Sequence, residues 1–186
     1  MNNKTLIAII STLIIYFGLT TYGGQIGRTI MMPLILFVTF LHEFGHALGT
    51  WITGGSVVGF VINSDGSGVT SSAGGNRAII LMGGYIGSAI FGNILFYIGA
   101  KKPKFAPYAL AFVVLLMIIV SLTFFKFETW FTSVFLLVFA LVLLGFGFFT
   151  RLDDYIVMFL GLVSILYIIQ DFNVGPSSDL NAYADL

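Results

Sequence analysis

Residues 30–52 read IMMPLILFVTFLHEFGHALGTWI. A helix needs about 20 mostly apolar residues to cross a membrane, because the hydrocarbon core is about 30 Å thick and each residue rises about 1.5 Å. The stretch is long enough, and Pro33 stands near its first turn, where a missing N–H costs little. Its only ionisable side chains are His42, Glu43 and His46. Ionisable groups in a spanning segment are costly and functional by default. Residues four apart on a helix share a face, so His42 and His46 can both reach one ion at about 2.0–2.1 Å. Glu43 follows the first histidine directly and reaches beside the ion rather than onto it. From there it can take a proton from the attacking water and pass it to a leaving amine.

Outward from this stretch the chain keeps the same character. Of its 186 residues 58% are apolar and only 9% charged, where a soluble chain averages about 25% charged. Such a chain has too little charge to cover a surface in water, so its solvent is largely lipid. Its zero net charge gives no attraction to nucleic acid. It has no cysteine, which excludes disulfides and thiolate ligands, and any metal must be held by nitrogen and oxygen. The sequence predicts a single all-α polytopic domain over residues 1–186, with about six transmembrane helices: 5–22, 30–52, 77–100, 108–125, 130–149 and 154–172. The first follows Lys4 without a clear small-x-small cleavage site, and reads as an uncleaved span rather than a signal peptide. Basic or acidic breaks separate the later ones, at Lys101-Lys102-Pro103-Lys104, at Lys126 and Glu128, and at Arg151-Leu152-Asp153-Asp154.

An insert at about 54–75, between helices two and three, is not helical. It is rich in Gly, Ser, Val and Thr, with Val58, Phe60 and Ile62 in alternation and Asp65-Gly66 as a turn signal. The reading is a small β-hairpin, residues 57–63 paired with 68–72. Unsatisfied backbone edges cannot face lipid, so the hairpin belongs at the membrane surface or against other protein. The third helix carries Gly83, Gly87, Ser88 and Gly92 at small-xxx-small spacings that let backbones approach closely. That pattern serves plain helix packing, or it lets this helix shape the site. Asn93, on the same helix, could bond a substrate carbonyl or merely a neighbouring helix.

The chain has two histidines and two glutamates, and both histidines and one glutamate fall within five positions. A catalytic zinc takes three protein ligands and leaves a fourth position open. With no further His or Cys, the third must be a carboxylate. Helices two, four and six run in the same direction, so their C-terminal ends share the side that His46 approaches. Asp153 and Asp154 open helix six on the opposite side. Asp171 ends helix six on the required side and is the expected ligand. Asp179 is the alternative, while the Asp65-Gly66 setting is accounted for by the turn.

These residues together resemble the site-2 protease family of intramembrane zinc metalloproteases, in its short multi-spanning branch. The resemblance rests on His42-Glu43-Phe44-Gly45-His46-Ala47-Leu48, and on Thr53-Gly54-Gly55 leading to Asp65-Gly66-Ser67-Gly68-Val69-Thr70. It continues through Gly83-Gly84-Tyr85-Ile86-Gly87-Ser88 to a late Asp171 followed by Ser178-Asp179. It implies cleavage of peptide bonds in or next to the spans of membrane-spanning protein substrates. It implies Zn2+ on two histidines and one aspartate, matching His42, His46 and Asp171, in an integral protein of the cell membrane. The family's usual L-D-G motif is absent, so the third ligand is inferred rather than matched. The family's site is reached from the cytosolic side. Counting Lys and Arg points the other way, with five (Arg28, Lys101, Lys102, Lys104, Arg151) against three (Lys4, Arg77, Lys126), and the family's orientation is taken as the expectation. The competing functions are a catalytically inactive membrane adaptor that binds transmembrane helices, and a metal transporter. An adaptor would not need Glu43. A transporter would want intramembrane ligands along a path, which the fourth and fifth helices lack.

Overall fold

A computed structural model of the chain describes residues 3–174, with side chains described up to Ile169 apart from Lys4. Six long helices and one hairpin follow in the order α1 (Asn3–Phe17), α2 (Gly24–Ile52), β1 (Ser56–Ile62), β2 (Gly68–Ala73), α3 (Arg77–Lys101), α4 (Ala106–Thr123), α5 (Trp130–Thr150) and α6 (Asp153–Val174). A wide helical turn, Gly18–Tyr22, carries α1 towards α2. By length and composition, five segments can cross a membrane: Thr5–Tyr22, Gly24–Ile52, Arg77–Lys101, Pro103–Thr123 and Phe127–Thr150. The sixth predicted span is α6, a 22-residue helix opened by Asp153 and Asp154.

The second helix starts earlier than expected. It runs for 29 residues from Gly24, so Pro33 lies inside it rather than in its first turn. An interior proline removes one N–H and crowds the carbonyl four residues back; spanning helices tolerate this because their surroundings re-satisfy the freed group. Further along, from Leu36 to Thr50, every residue except His42 and Leu48 is buried. A helix apolar on all sides sits at the centre of its protein, and the other elements pack around this one.

On one side lies α3, capped by the Asn76 side chain accepting from Ile79 N–H at 3.2 Å. A Cβ on Gly45 or on Gly83 would run into the backbone of the other helix, so the two main chains touch. This is the close approach that small-xxx-small spacing permits. At its far end α3 packs equally tightly on α6, where a Cβ on Gly99 would meet Asp154 and Met158. The α4–α5 pair is fastened by reciprocal bonds: the Ser121 hydroxyl donates to the Ser133 carbonyl, and the Ser133 hydroxyl donates to the Ser121 carbonyl, each at 3.0 Å.

The hairpin is antiparallel, with Phe60 opposite Thr70, Val61 opposite Val69 and Ile62 opposite Gly68, and a bulge near Val58. Phe60 and Ile62 face the core at 2% and 1% exposure, whereas Val58, beside the bulge, is turned out. Of the two settings open to it, the hairpin takes the second: it lies against protein, along α2. The Ser72 and Thr50 hydroxyls meet at 2.6 Å, the Thr70 hydroxyl donates to the Glu43 carbonyl at 2.9 Å, and the Thr39 hydroxyl donates to the Gly66 carbonyl at 2.7 Å. Contacts at 50, 43 and 39 follow one face of α2. The hairpin therefore runs back beside the helix, and its tip reaches Arg28, which donates to the Asp65 carbonyl at 3.5 Å.

Candidate metal centre

Helix periodicity brings His42 and His46 together, and packing then fixes their rings. The His46 Nδ1 lies 2.7 Å from the Ile80 carbonyl of α3. A carbonyl only accepts, so Nδ1 carries the proton and Nε2 is left as a lone pair. That Nε2 stands 3.0 Å from the Nε2 of His42. Two ligands of a tetrahedral zinc at 2.0–2.1 Å lie about 3.3 Å apart, so the pair already has nearly the spacing an ion requires. The His42 ring stands edge to face with Tyr85, centroids 4.8 Å apart. Glu43 is 4% exposed, and one ligand atom from each of His42, Glu43 and His46 falls within 4.8 Å of the others.

Gly84 supplies the room. A Cβ there would sit 2.5 Å from His42 Nε2 and 2.6 Å from His46 Nε2. That is inside van der Waals contact and in the place where the two Nε2 atoms converge. The donor set, its spacing and this gap fit a divalent ion of the zinc type. α3 thus does more than pack: it holds the tautomer of His46 through Ile80 and leaves, at Gly84, a gap in which a metal ion could sit between the two rings.

The site opens into a cavity of about 320 Å³, walled by α2, β2, α3 and α6. Val69, Tyr85, Tyr167 and Ile168 are among its lining residues. β2 presents an edge to it. The Thr132 hydroxyl of α5 accepts from Ile62 N–H at 2.9 Å and donates to the Ile62 carbonyl at 3.1 Å, so Ile62 turns its main chain away from β2. In an antiparallel ladder the residues opposite then point theirs outward too. Gly68, and by the same alternation Thr70, therefore direct N–H and C=O along the other edge of β2, which borders the cavity.

The remaining candidates fall as follows. Asp171 lies in the last turn of α6, and its side chain is outside those described. Asp179 lies outside the described residues. Asp153 and Asp154 are at the Gly99 end of α3, 19 residues from Ile80, or about 28 Å along the helix. Asn93 is exposed, outside the cavity lining, and donates to the Ala89 carbonyl of its own helix at 2.9 Å. Asp65 Oδ1 accepts from Ser67 N–H at 2.9 Å and from the Ser67 hydroxyl at 2.7 Å, and these bonds hold its carboxyl below the usual range. The sequence reading did not single out Ile80, Gly84 for clearance, Tyr85 or the Thr70 bond to Glu43. Gly84 had a signal, being the second of two adjacent glycines one turn past Ile80. A carbonyl acceptor has none.

Residues 6–184 match the family described as Peptidase M50B-like. The chain belongs to this family. It is the family of the site-2 proteases that the motifs resemble, and the match extends over nearly the whole chain. No curated protein and no solved structure matches the chain. A peptidase family, five apolar helices long enough to span and a His-Glu-His group able to hold an ion together describe an integral membrane protein of peptidase type.

Proposed function

We propose that this M50B-like protein is an intramembrane zinc metallopeptidase that hydrolyses peptide bonds in or next to transmembrane segments of protein substrates. His42, His46 and Asp171 hold the metal in this reading, and Glu43 is the general base. The observation that carries it is the convergence of both Nε2 atoms 3.0 Å apart over the gap at Gly84, with the Glu43 carboxylate beside them. Zinc bound there supplies Lewis acidity, which polarises a carbonyl and acidifies water. The rest falls to the chain. Glu43 accepts the proton of the attacking water and delivers it to the leaving nitrogen. Ile80 keeps His46 in the ligating tautomer.

A substrate helix has its carbonyls bonded internally and must unwind before attack. The β2 edge at Gly68 and Thr70 suits that need. Backbone groups at membrane depth are tolerated only where they are buried in protein or line a polar cavity, and an unwound segment can add to such an edge as a strand. The cavity lies between this edge and Tyr167 and Ile168 of α6.

Metal removal tests the proposal. In liposomes holding a panel of single-span proteins, the protein should cleave at least one within or beside its span, lose that cleavage to a zinc chelator, and regain it with added zinc. The purified chain should carry about one zinc, and His46→Ala close to none. Equal zinc in both, or cleavage indifferent to the chelator, would overturn the assignment.

A further inference from the structure

Gly68 is an odd residue to find opening an edge strand next to a catalytic group. Glycine weakens a strand, because it has more freedom to lose and nothing to pack. Conformation does not require it here: Gly68 is absent from the positive-φ glycines, which include Gly66 two residues earlier. Any L residue fits its backbone. The Ile62 partner across the ladder is 1% exposed and satisfied by Thr132, so the ladder does not demand it either.

What it faces does. A Cβ at Gly68 would lie 2.6 Å from Glu43 Oε1, 2.7 Å from Glu43 Cγ and 2.7 Å from Thr39 Cγ2. Thr39 cannot give way easily, since its hydroxyl is bonded to both the Gly66 and Ile35 carbonyls, at 2.7 and 3.0 Å. The Glu43 main chain is fixed by the helix and by Thr70. Of the groups a Cβ would meet, the Glu43 side chain is the long, flexible one, so it is the part that shifts. We infer that Gly68 is the seat of the Glu43 carboxylate, a positioning residue that keeps the base against β2 and aimed at the histidine pair. This deepens the proposed peptidase reading and rests on it. It divides the labour of two glycines: Gly84 clears the metal position, and Gly68 clears the base. A methyl group at 68 leaves both imidazoles untouched and swings the carboxylate away.

The test exploits composition. The chain has two glutamates, Glu43 and Glu128, so labelling glutamate with 13C at the side-chain carboxyl yields two signals, which Glu128→Gln assigns. Gly68→Ala, zinc-loaded in detergent micelles, should shift the Glu43 signal and leave that of Glu128 in place. Its zinc content should stay at the wild-type level. Cleavage of whichever single-span protein the wild type cuts should lose about a hundredfold in kcat, the scale of an ångström-sized misplacement, with KM within about twofold. In a Glu43→Asp background, whose shorter side chain already stands back from residue 68, the same substitution should cost less than about threefold, a non-additivity expected of groups in contact. An unmoved Glu43 signal, loss of zinc, or a rise in KM at constant kcat would overturn the inference, the last two because they make Gly68 a matter of hairpin structure. Failure of the peptidase reading is distinct: the wild type would then cleave none of the single-span proteins, while the Glu43 signal would still report whether residue 68 seats the carboxylate.

Discussion

Gly84 is the residue whose role is most sharply separated from its sequence signal. As one of a pair of glycines on an apolar helix, it reads as packing, and Gly83 beside it does pack on Gly45. Only the fold reveals that a methyl group one position on would occupy the place where two imidazole nitrogens meet. Gly84→Ala is therefore expected to weaken zinc binding by at least about tenfold, the lower end of what altering the surroundings of metal ligands does, while Gly83→Ala chiefly loosens α2 from α3. Metal analysis of the two variants at equal folded protein checks this; equal zinc in both would remove Gly84 from the site. His42, Glu43 and His46 were legible from the start, because i, i+4 spacing is a local property of a helix. Ile80 was not, since it acts through its main chain and any side chain would serve.

At the scale of elements, the hairpin shows both sides of the same limit. Alternation and Asp65-Gly66 were enough to predict two strands with nearly the observed bounds. Their placement was not, because a strand pattern states which residues share a face and not what that face meets. The bonds that lay the hairpin along α2 come from Thr39, Thr70 and Ser72, and hydroxyls like these are equally at home in a loop. The same applies to Thr132, which satisfies both main-chain groups of Ile62 from α5. Thr132→Val leaves a buried N–H and C=O without that partner, and should cost about 1–3 kcal/mol each at most. Thr132→Ser, which keeps the hydroxyl, should cost clearly less. Reversible unfolding in mixed detergent compares them, and equal loss in the two would mean that the methyl packing of Thr132, not its bonds, holds the hairpin. Pro33 is the element-level miss: proline marks helix starts in water, but in lipid a helix continues through it.

The whole molecule is organised by direction. Because helices alternate in a membrane, counting them told which ends of α2 and α6 meet. The structure agrees: Tyr167 and Ile168, late in α6, line the cavity with His46, while Asp154 lies beside Gly99 at the opposite end of α3. This alternation predicts that Asp171→Ala loses zinc and that Asp153→Ala retains it. If both retain zinc and Asp179→Ala loses it, the sidedness holds and the ligand is the aspartate eight residues further along the sequence. The central claim is that the chain hydrolyses peptide bonds rather than merely binding spanning helices. Glu43→Gln tests it most directly, because it keeps shape and both histidines and removes only the base. In liposomes with a single-span protein that the wild type cuts, this variant should hold its zinc and still bind the protein, yet cleave it at least about a hundredfold more slowly, the scale of general acid–base help. Cleavage absent from the wild type as well, with Glu43→Gln fulfilling every cellular role of the unaltered protein, would contradict the account and make the chain an adaptor.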